Sequence, residues 1–246
     1  MYLTTRGLVL RVKDYNDRDS LLTLLTPENG KLTVKARGLR RKNSPLNAPC
    51  QLLAYGDFTL FEYRGSYTIN EAASVELFPS LRRDITKLSL GTYFVQVAEL
   101  ISQEDLPNPE LLSLVLNCLH MLTKDAPEAV IKAVFELRIA CLAGYMPDLG
   151  GCESCTKCAQ GFFDISAGRL ECEKCRLSGT HGIRMPVSES TLMAMRYIAY
   201  CDPKKLFSFQ LGHESMEQLS QITEAYLTAQ LERSFSTLDF YKSLLI

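Results

Sequence analysis

Two Cys-x-x-Cys pairs are the residues whose type and spacing indicate chemistry most clearly. The pairs are Cys152–Cys155 and Cys172–Cys175, and residues 156–171 separate them. Two such pairs at a separation of about 15–20 residues are typical of a four-thiolate zinc site. Four sulfurs complete a tetrahedral shell and leave no position for a catalytic water. The spacing therefore predicts one structural Zn²⁺ per chain, with no catalytic role.

Other residues in the same segment leave the ligand set open. Cys158 also forms a Cys-x-x-Cys pair with Cys155, so Cys155–Cys158 is an alternative first knuckle at a shorter separation. His181 follows the second pair and is an alternative fourth ligand. A disulfide framework is typical of small secreted chains, and a redox pair is typical of a βαβ context. Neither context is visible, so zinc is the favoured interpretation.

A run of positive charge at residues 35–42 is the second functional signal. Its basic residues are Lys35, Arg37, Arg40, Arg41 and Lys42. The net charge of the chain is −1, but residues 1–42 contain ten Lys or Arg against four Asp or Glu. Such a run neutralises phosphates and gives affinity for nucleic acid without sequence specificity. A solvated surface loop is the alternative, and the placement of the run decides between them.

Five strand patterns in the first 75 residues supply that placement. Runs of β-branched and aliphatic residues recur at 5–13, 20–25, 31–37, 50–63 and 67–75, with turn signals between them. Five short strands joined by hairpins suit an OB-fold barrel. Nucleic acid crosses strands 2 and 3 of that fold, and the basic run extends strand 3 into the loop 38–48. Nearby aromatic residues could stack on bases. They are Tyr15, Tyr55, Phe58, Phe61, Tyr63 and Tyr67.

After Pro79 the apolar residues recur at helical spacing. The pattern predicts helices over 81–101, 110–123, 127–143, 188–200 and 214–235. Between them, the cysteine segment 145–186 contains two short strand patterns, 162–166 and 169–171, as in the hairpin of a zinc ribbon. The predicted fold is multidomain α+β. An N-terminal OB-fold β-barrel domain at 1–79 is followed by a C-terminal α-helical domain at 80–246, which a zinc-ribbon-like segment with four cysteine ligands interrupts at 145–186.

Several function classes lack support in the sequence. The sequence contains no run of 18 or more apolar residues, so no membrane span is predicted, and no signal peptide is visible. Nine cysteines, most of them scattered, suggest a reducing, cytoplasmic compartment. No serine-hydrolase elbow, phosphate loop, dinucleotide fingerprint or His-Glu-x-x-His is present. Asp14, Asp17 and Asp19 lack the later Gly and Glu of a calcium loop and are interpreted as a polar turn between strands 1 and 2.

In sequence the chain resembles the bacterial recombination-repair family RecO along its full length. The residues that carry the resemblance lie at 6–15, 21–31, 36–41, 144–152, 226–227 and 238–240, together with the cysteines. Their order and the position of the zinc segment make the resemblance specific. The family implies a non-enzymatic mediator of DNA repair and homologous recombination, associated with the nucleoid.

The resemblance also implies partners and residue roles. RecO-like proteins bind single- and double-stranded DNA, anneal complementary strands and help load the recombinase onto strands coated by single-strand-binding protein. They work with RecR, and often RecF, and contact the C-terminal tail of single-strand-binding protein. Here the DNA-binding role would fall on the basic run, with Arg6 and Arg11 as further candidates. Two alternatives remain open: a zinc-ribbon adaptor that binds only protein, and a DNA-processing enzyme with an unrecognised site.

Overall fold

A computed structural model describes residues 1–124, 126–152, 161–176 and 182–245. The chain divides into two compact units. Unit 1 comprises Met1–Lys124 and Phe235–Ile246, and unit 2 comprises Asp125–Ser234. The C-terminal residues therefore return to the unit that contains the N-terminus.

Unit 1 contains a closed five-stranded barrel. Its strands are β1 Tyr2–Asp14, β2 Ser20–Thr26, β3 Gly30–Ala36, β4 Tyr55–Tyr63 and β5 Ser66–Glu76. They close in the order β1-β2-β3-β5-β4, and all neighbours are antiparallel except β3 and β5. This five-stranded closure confirms the OB-fold prediction.

Apolar residues that alternate with polar ones fill the barrel interior. In β3 the buried positions alternate with half-buried or exposed ones, which is the period of a strand with one face in a core. Leu32 and Val34 of this strand pack in one apolar cluster with Leu22 of β2 and with Phe58 and Leu60 of β4. The interior is therefore filled by side chains, and any ligand must bind on the outer surface or the loops.

Strand 4 begins later than its sequence pattern predicts. The pattern indicated a strand from residue 50, but β4 begins at Tyr55. The preceding residues form turns instead: the N–H of Cys50 donates to the carbonyl of Leu46 at 3.1 Å, and that of Ala54 to Gln51 at 3.0 Å. Leu53 adopts a φ of 66°. Cys50 and Ala54 are apolar because they pack in the apolar cluster of the barrel, and not because they extend a strand.

The helices are α1 Ile85–Ile101, α2 Pro109–Leu122, α3 Glu128–Leu142, α4 Glu173–Arg176, α5 Glu189–Tyr200, α6 His213–Gln230 and α7 Ser236–Ser243. The predicted first helix begins four residues late because Leu81–Arg83 form a separate 3-10 turn, and the four-residue α4 was not predicted. One long helix was predicted over 214–235, and this is wrong because the chain breaks after Gln230. Glu232 has a φ of 48°, and Phe235 is buried with its ring centroid 5.5 Å from that of Tyr93. Among the helices that the structure describes, none is long and apolar enough to cross a membrane.

Unit 2 also contains a four-stranded sheet in the cysteine segment. The strands are β6 Asp148–Cys152, β7 Gly161–Asp164, β8 Arg169–Glu171 and β9 Arg184–Val187, in the order β6-β8-β7-β9. The antiparallel pair β7–β8 corresponds to the predicted hairpin. The two outer strands, β6 and β9, had no clear sequence pattern because β6 contains two glycines and β9 a proline, which are depleted in strands.

A cluster of charged and polar side chains connects α3 and α6 in unit 2. The Lys132 ammonium lies 3.0 Å from Glu136 Oε1 and 2.8 Å from Glu224 Oε2. Thr223 Oγ1 donates to Glu136 Oε2 at 2.9 Å, and Glu136 is fully buried. Burial raises the pKa of Glu136, while Lys132 favours the ionised carboxylate. The ion pair therefore offsets the desolvation cost of burying the Glu136 carboxylate.

Replacing Lys132 with Met is expected to destabilise unit 2 by about 3–5 kcal/mol, since it leaves the Glu136 carboxylate buried without its cation. Denaturant unfolding followed by far-UV circular dichroism measures the change. The double variant Lys132→Met/Glu136→Leu should recover most of the loss, because both charges are then removed together. Equal stability of the wild type and Lys132→Met would contradict this interpretation of the pair.

Candidate nucleic-acid interface

The basic run lies where β3 leaves the barrel. Lys35 is the penultimate residue of β3, and the other four basic residues lie in the following loop. We call residues 35–42 the basic loop. The side chains of Arg37, Arg40, Arg41 and Lys42 are all exposed. The structure therefore brings together five of the predicted DNA-binding residues, at one end of the barrel.

The turn between β1 and β2 holds this loop in place. Asp19 Oδ1 accepts a hydrogen bond of 2.8 Å from the backbone N–H of Gly38. The backbone N–H of Arg40 donates to the carbonyl of Arg18 at 3.1 Å, and Arg40 Nη1 donates to the carbonyl of Asn16 at 2.8 Å. Gly38 has a φ of 69°, a conformation that glycine adopts without strain. Contacts between residues about 20 positions apart thus fix the start of the basic loop.

The β1–β2 turn owes its own shape to Asn16. Its Oδ1 accepts from the backbone N–H of Arg18 at 2.9 Å and of Asp19 at 2.7 Å, as in an Asx-turn. The hydrogen bond from Gly38, followed by that from Asn16, lowers the pKa of Asp19. Asp19 therefore stays ionised at neutral pH and acts as a fixed acceptor for the loop.

Acidic neighbours neutralise only part of the basic loop. Lys35 Nζ lies 3.4 Å from Asp19 Oδ2, and Arg40 Nη2 lies 3.4 Å from Asp14 Oδ2. In the part of the chain that the structure describes, no carboxylate lies within ion-pair distance of the other three basic residues. These are Arg37, Arg41 and Lys42. Their charges are thus available to an external anion such as a DNA phosphate.

Two exposed aromatic rings lie in turns of the barrel, and one of them, Tyr15, contacts the basic loop. Tyr15, in the β1–β2 turn, is 57% exposed, and Lys35 Nζ lies 4.6 Å from its ring centroid. Tyr63 is 61% exposed and begins the β4–β5 turn, with the Arg64 guanidinium 5.2 Å from its ring centroid. That turn leads into the residues of β5 that pair with Val34 and Lys35 of β3. Both turns are loops through which OB-folds bind nucleic acid.

The other candidate aromatic residues have different surroundings. Phe58 is fully buried and belongs to the barrel interior. Phe61 packs against Tyr2 at a centroid distance of 5.4 Å, while Tyr55 and Tyr67 are half-buried. The structure adds Arg18 and Arg64 as exposed basic residues of the two turns. The only sequence signal for Arg64 is its Arg-Gly turn between two strand patterns.

Arg6 and Arg11 lie on β1, outside the basic loop. Arg6 Nε is 2.9 Å from Asp57 Oδ1, and this hydrogen bond raises the pKa of the guanidinium. Arg11 Nε is 3.0 Å from Glu99 Oε1. Each guanidinium therefore has a carboxylate partner, unlike Arg37 or Arg41. The structure does not group them with the loop, and a DNA-binding role for them stays a prediction.

Two of the predicted zinc ligands lie at the same end of two neighbouring strands. Cys152 is the last residue of β6 and pairs with Leu170 of β8, which runs parallel to it. Cys172 directly follows β8, and both cysteines are buried. The backbone of Cys175 belongs to α4, the short helix that begins just after Cys172. Cys155, Cys158 and His181 lie outside the described residues. Two buried thiols at adjacent strand ends fit half of a tetrathiolate zinc site.

Comparison with known proteins agrees with this architecture. The model of the recombination protein O N-terminal domain matches residues 1–78, and that of the C-terminal domain matches residues 82–239. A protein of Acetivibrio thermocellus called DNA repair protein RecO is 33% identical, covering 99% of this chain and 97% of its own. Proteins with the same name from Alkaliphilus metalliredigens and Bacillus subtilis are 30% and 28% identical. They cover 99% and 92% of this chain, and 100% and 88% of their own lengths.

The two family models together span nearly the whole chain, in the order of the barrel and the helices. An identity of 33% over almost the full length of both proteins agrees with those matches. The chain therefore belongs to the RecO family of DNA repair proteins.

Proposed function

We propose that this chain is a recombination mediator that binds single- and double-stranded DNA through its basic loop and anneals complementary strands. The observation that carries the proposal is the exposed basic loop on an OB-fold barrel, with Arg37, Arg41 and Lys42 lacking acidic partners among the described residues. Tyr15 beside Lys35, and Tyr63 in the β4–β5 turn, offer exposed rings on which bases can stack. The loop would bind DNA through the charge of its phosphates, and would therefore not distinguish one base sequence from another.

Annealing needs no covalent chemistry, which agrees with a non-enzymatic role. Two complementary strands repel each other through their phosphates, so a protein speeds their pairing by neutralising charge on both. Neither a nucleophile nor an acid–base pair is required for that step. The basic loop supplies positive charge, and the barrel supplies a rigid frame for it.

The mediator role includes partners that the family suggests. We propose that the chain helps load the recombinase onto DNA coated by single-strand-binding protein, together with RecR and, in some settings, RecF. It would contact the C-terminal tail of single-strand-binding protein and act at the nucleoid, in the cytoplasm. Membership of the RecO family supports these partners.

We also propose that the chain holds one structural zinc ion. Cys152, Cys155, Cys172 and Cys175 would hold it, with Cys158 as the alternative in the first knuckle. When bound, the metal would fasten the two ends of the cysteine segment and supply stability but no reactivity. The burial of Cys152 and Cys172 at adjacent strand ends supports this role.

Oligonucleotide annealing with and without single-strand-binding protein tests the proposed function. We expect the chain to accelerate pairing of complementary strands in both cases, with little dependence on their sequence. A protein-only adaptor would leave the annealing rate at its spontaneous value. A nuclease or ATPase activity that survives ion exchange and disappears in a point variant would instead favour an enzyme.

A further inference from the structure

A second cluster of basic and aromatic side chains lies in unit 2, at the C-terminal end of α5. Tyr200 is the last residue of the helix and is 63% exposed. Lys204 and Lys205 follow in a short 3-10 helix, Pro203–Lys205, and both are exposed. We call Tyr200, Lys204 and Lys205 the α5 patch. It belongs to a different compact unit from the basic loop.

Hydrogen bonds and ring packing fix the backbone that presents the α5 patch. The Tyr197 hydroxyl donates to the carbonyl of Lys205 at 2.7 Å, which ties the 3-10 helix to the last turn of α5. Asp202 Oδ1 accepts from the backbone N–H of Lys204 at 2.8 Å. The rings of Tyr197 and Phe209 pack with a centroid distance of 5.5 Å. The two lysines are thus presented from a fixed backbone, close in sequence to an exposed tyrosine ring.

The lysines are not needed to stabilise the end of α5. Cationic side chains often stabilise the C-terminus of a helix, because its last carbonyls have no partner within the helix. Here Arg138 Nη1 already donates to the carbonyls of Ile198 and Ala199, at 3.1 Å and 2.8 Å. Among the described residues, no carboxylate lies within ion-pair distance of Lys204 or Lys205. The charges of the α5 patch therefore remain available to an external anion.

We propose that the α5 patch is a second contact for single-stranded nucleic acid, with phosphates bound by Lys204 and Lys205 and a base stacked on Tyr200. Charge without sequence readout and an exposed aromatic ring are the two components of such contacts. The inference rests on the proposed function, because annealing brings two strands to one protein. The basic loop binds one strand, and the α5 patch binds the second.

Photo-crosslinking to an iodouridine-substituted oligonucleotide tests the contact directly on the full-length chain. The expected result is a crosslinked peptide at Tyr200 in addition to peptides from the barrel, because excited iodouridine couples to a stacked aromatic ring. Crosslinks confined to Tyr15, Tyr63 and other barrel residues would overturn the proposal.

Annealing rates of matched variants supply the second test. Lys204→Ala/Lys205→Ala is expected to slow annealing about tenfold while single-strand affinity at the basic loop falls less than about threefold. Tyr200→Ser should slow annealing and Tyr200→Phe should not, since phenylalanine keeps the ring. The control Lys124→Ala/Arg233→Ala removes two exposed charges elsewhere and should anneal at the wild-type rate.

The outcomes separate this inference from the proposed function. If the wild type anneals and the Lys204→Ala/Lys205→Ala variant anneals equally fast, the α5 patch is refuted while the mediator role stands. If the wild type neither binds nor anneals DNA, both fall. Capture of an acidic peptide by the patch, without any crosslink to DNA, would identify it as a protein-binding surface and would also refute the proposal.

Discussion

Replacing Arg37, Arg40 and Arg41 together with Ala is expected to lower single-strand affinity on the order of 100-fold at low salt. All three guanidiniums are exposed in the basic loop, but Arg40 shares its charge with Asp14, whereas Arg37 and Arg41 have no acidic partner among the described residues. Loss of two to three phosphate contacts should also reduce the slope of log affinity against log salt by about 1.4–2.1 for a single strand. Fluorescence anisotropy of a labelled oligonucleotide, at several salt concentrations, measures both quantities.

Two controls distinguish lost contacts from altered folding or lower net charge. The variant Arg83→Ala/Lys124→Ala/Arg233→Ala removes the same charge from exposed positions outside the basic loop and should bind within about threefold of the wild type. Arg→Lys substitutions at the three loop positions keep the charge and should retain most of the affinity. Wild-type affinity in the Arg→Ala variant would refute the assignment of the basic loop.

Loss of a ligand from the predicted zinc site is expected to have a large effect on folding. Cys172→Ser should release about one zinc ion per chain and prevent the cysteine segment from folding, since metal binding and folding are coupled. Loss of the metal should expose residues 145–186 to protease and leave the barrel intact. Metal analysis of the purified protein and limited proteolysis measure the two consequences.

Other cysteines give the matched comparisons for the metal. Cys201 lies at the end of α5, outside the predicted ligand set, so Cys201→Ser should retain zinc. Cys158→Ser should also retain zinc if Cys152 and Cys155 form the first knuckle. Complete loss of zinc from the Cys158→Ser protein would show that Cys155 and Cys158 form it instead. A wild-type protein purified without chelator that contains no zinc would contradict the site altogether.

The barrel could be predicted because each strand carries its own local signals. Alternation in β3 and the turn residues around Asn29-Gly30 specify a hairpin without reference to the rest of the chain. The start of β4 could not be predicted in the same way. Cys50, Leu53 and Ala54 are buried like strand residues, yet they lie in turns, from which Cys50 and Ala54 pack in the apolar cluster of the barrel. Burial, and not backbone conformation, determined their apolar character.

The break between α6 and α7 has no local signal either. No glycine or proline lies between Gln230 and Ser236, so helical spacing continues through the break. Tertiary packing decides it: Phe235 is drawn into unit 1 against Tyr93, and α7 then packs along α1. Such a change of direction depends on residues more than 100 positions away and cannot be inferred from a local pattern.

The candidate site was predictable in composition but not in arrangement. The basic run is contiguous, so counting charges found it. Its attachment to the β1–β2 turn through Asp19 and Gly38 arises from the pairing of β2 with β3. The pairing of Arg6 with Asp57 and of Arg11 with Glu99 is equally non-local. These two arginines were further candidates beside the basic run, and no local pattern indicates that each has an acidic partner.

The salt dependence of single-strand binding by the wild-type chain decides whether the basic loop binds DNA through its charges. If the basic loop neutralises phosphates, log affinity should fall linearly with log salt, with a slope steeper than about −2, and similarly for unrelated sequences. The slope should flatten in the Arg37→Ala/Arg40→Ala/Arg41→Ala variant. Affinity that does not change with salt, or binding confined to one sequence, would contradict the account.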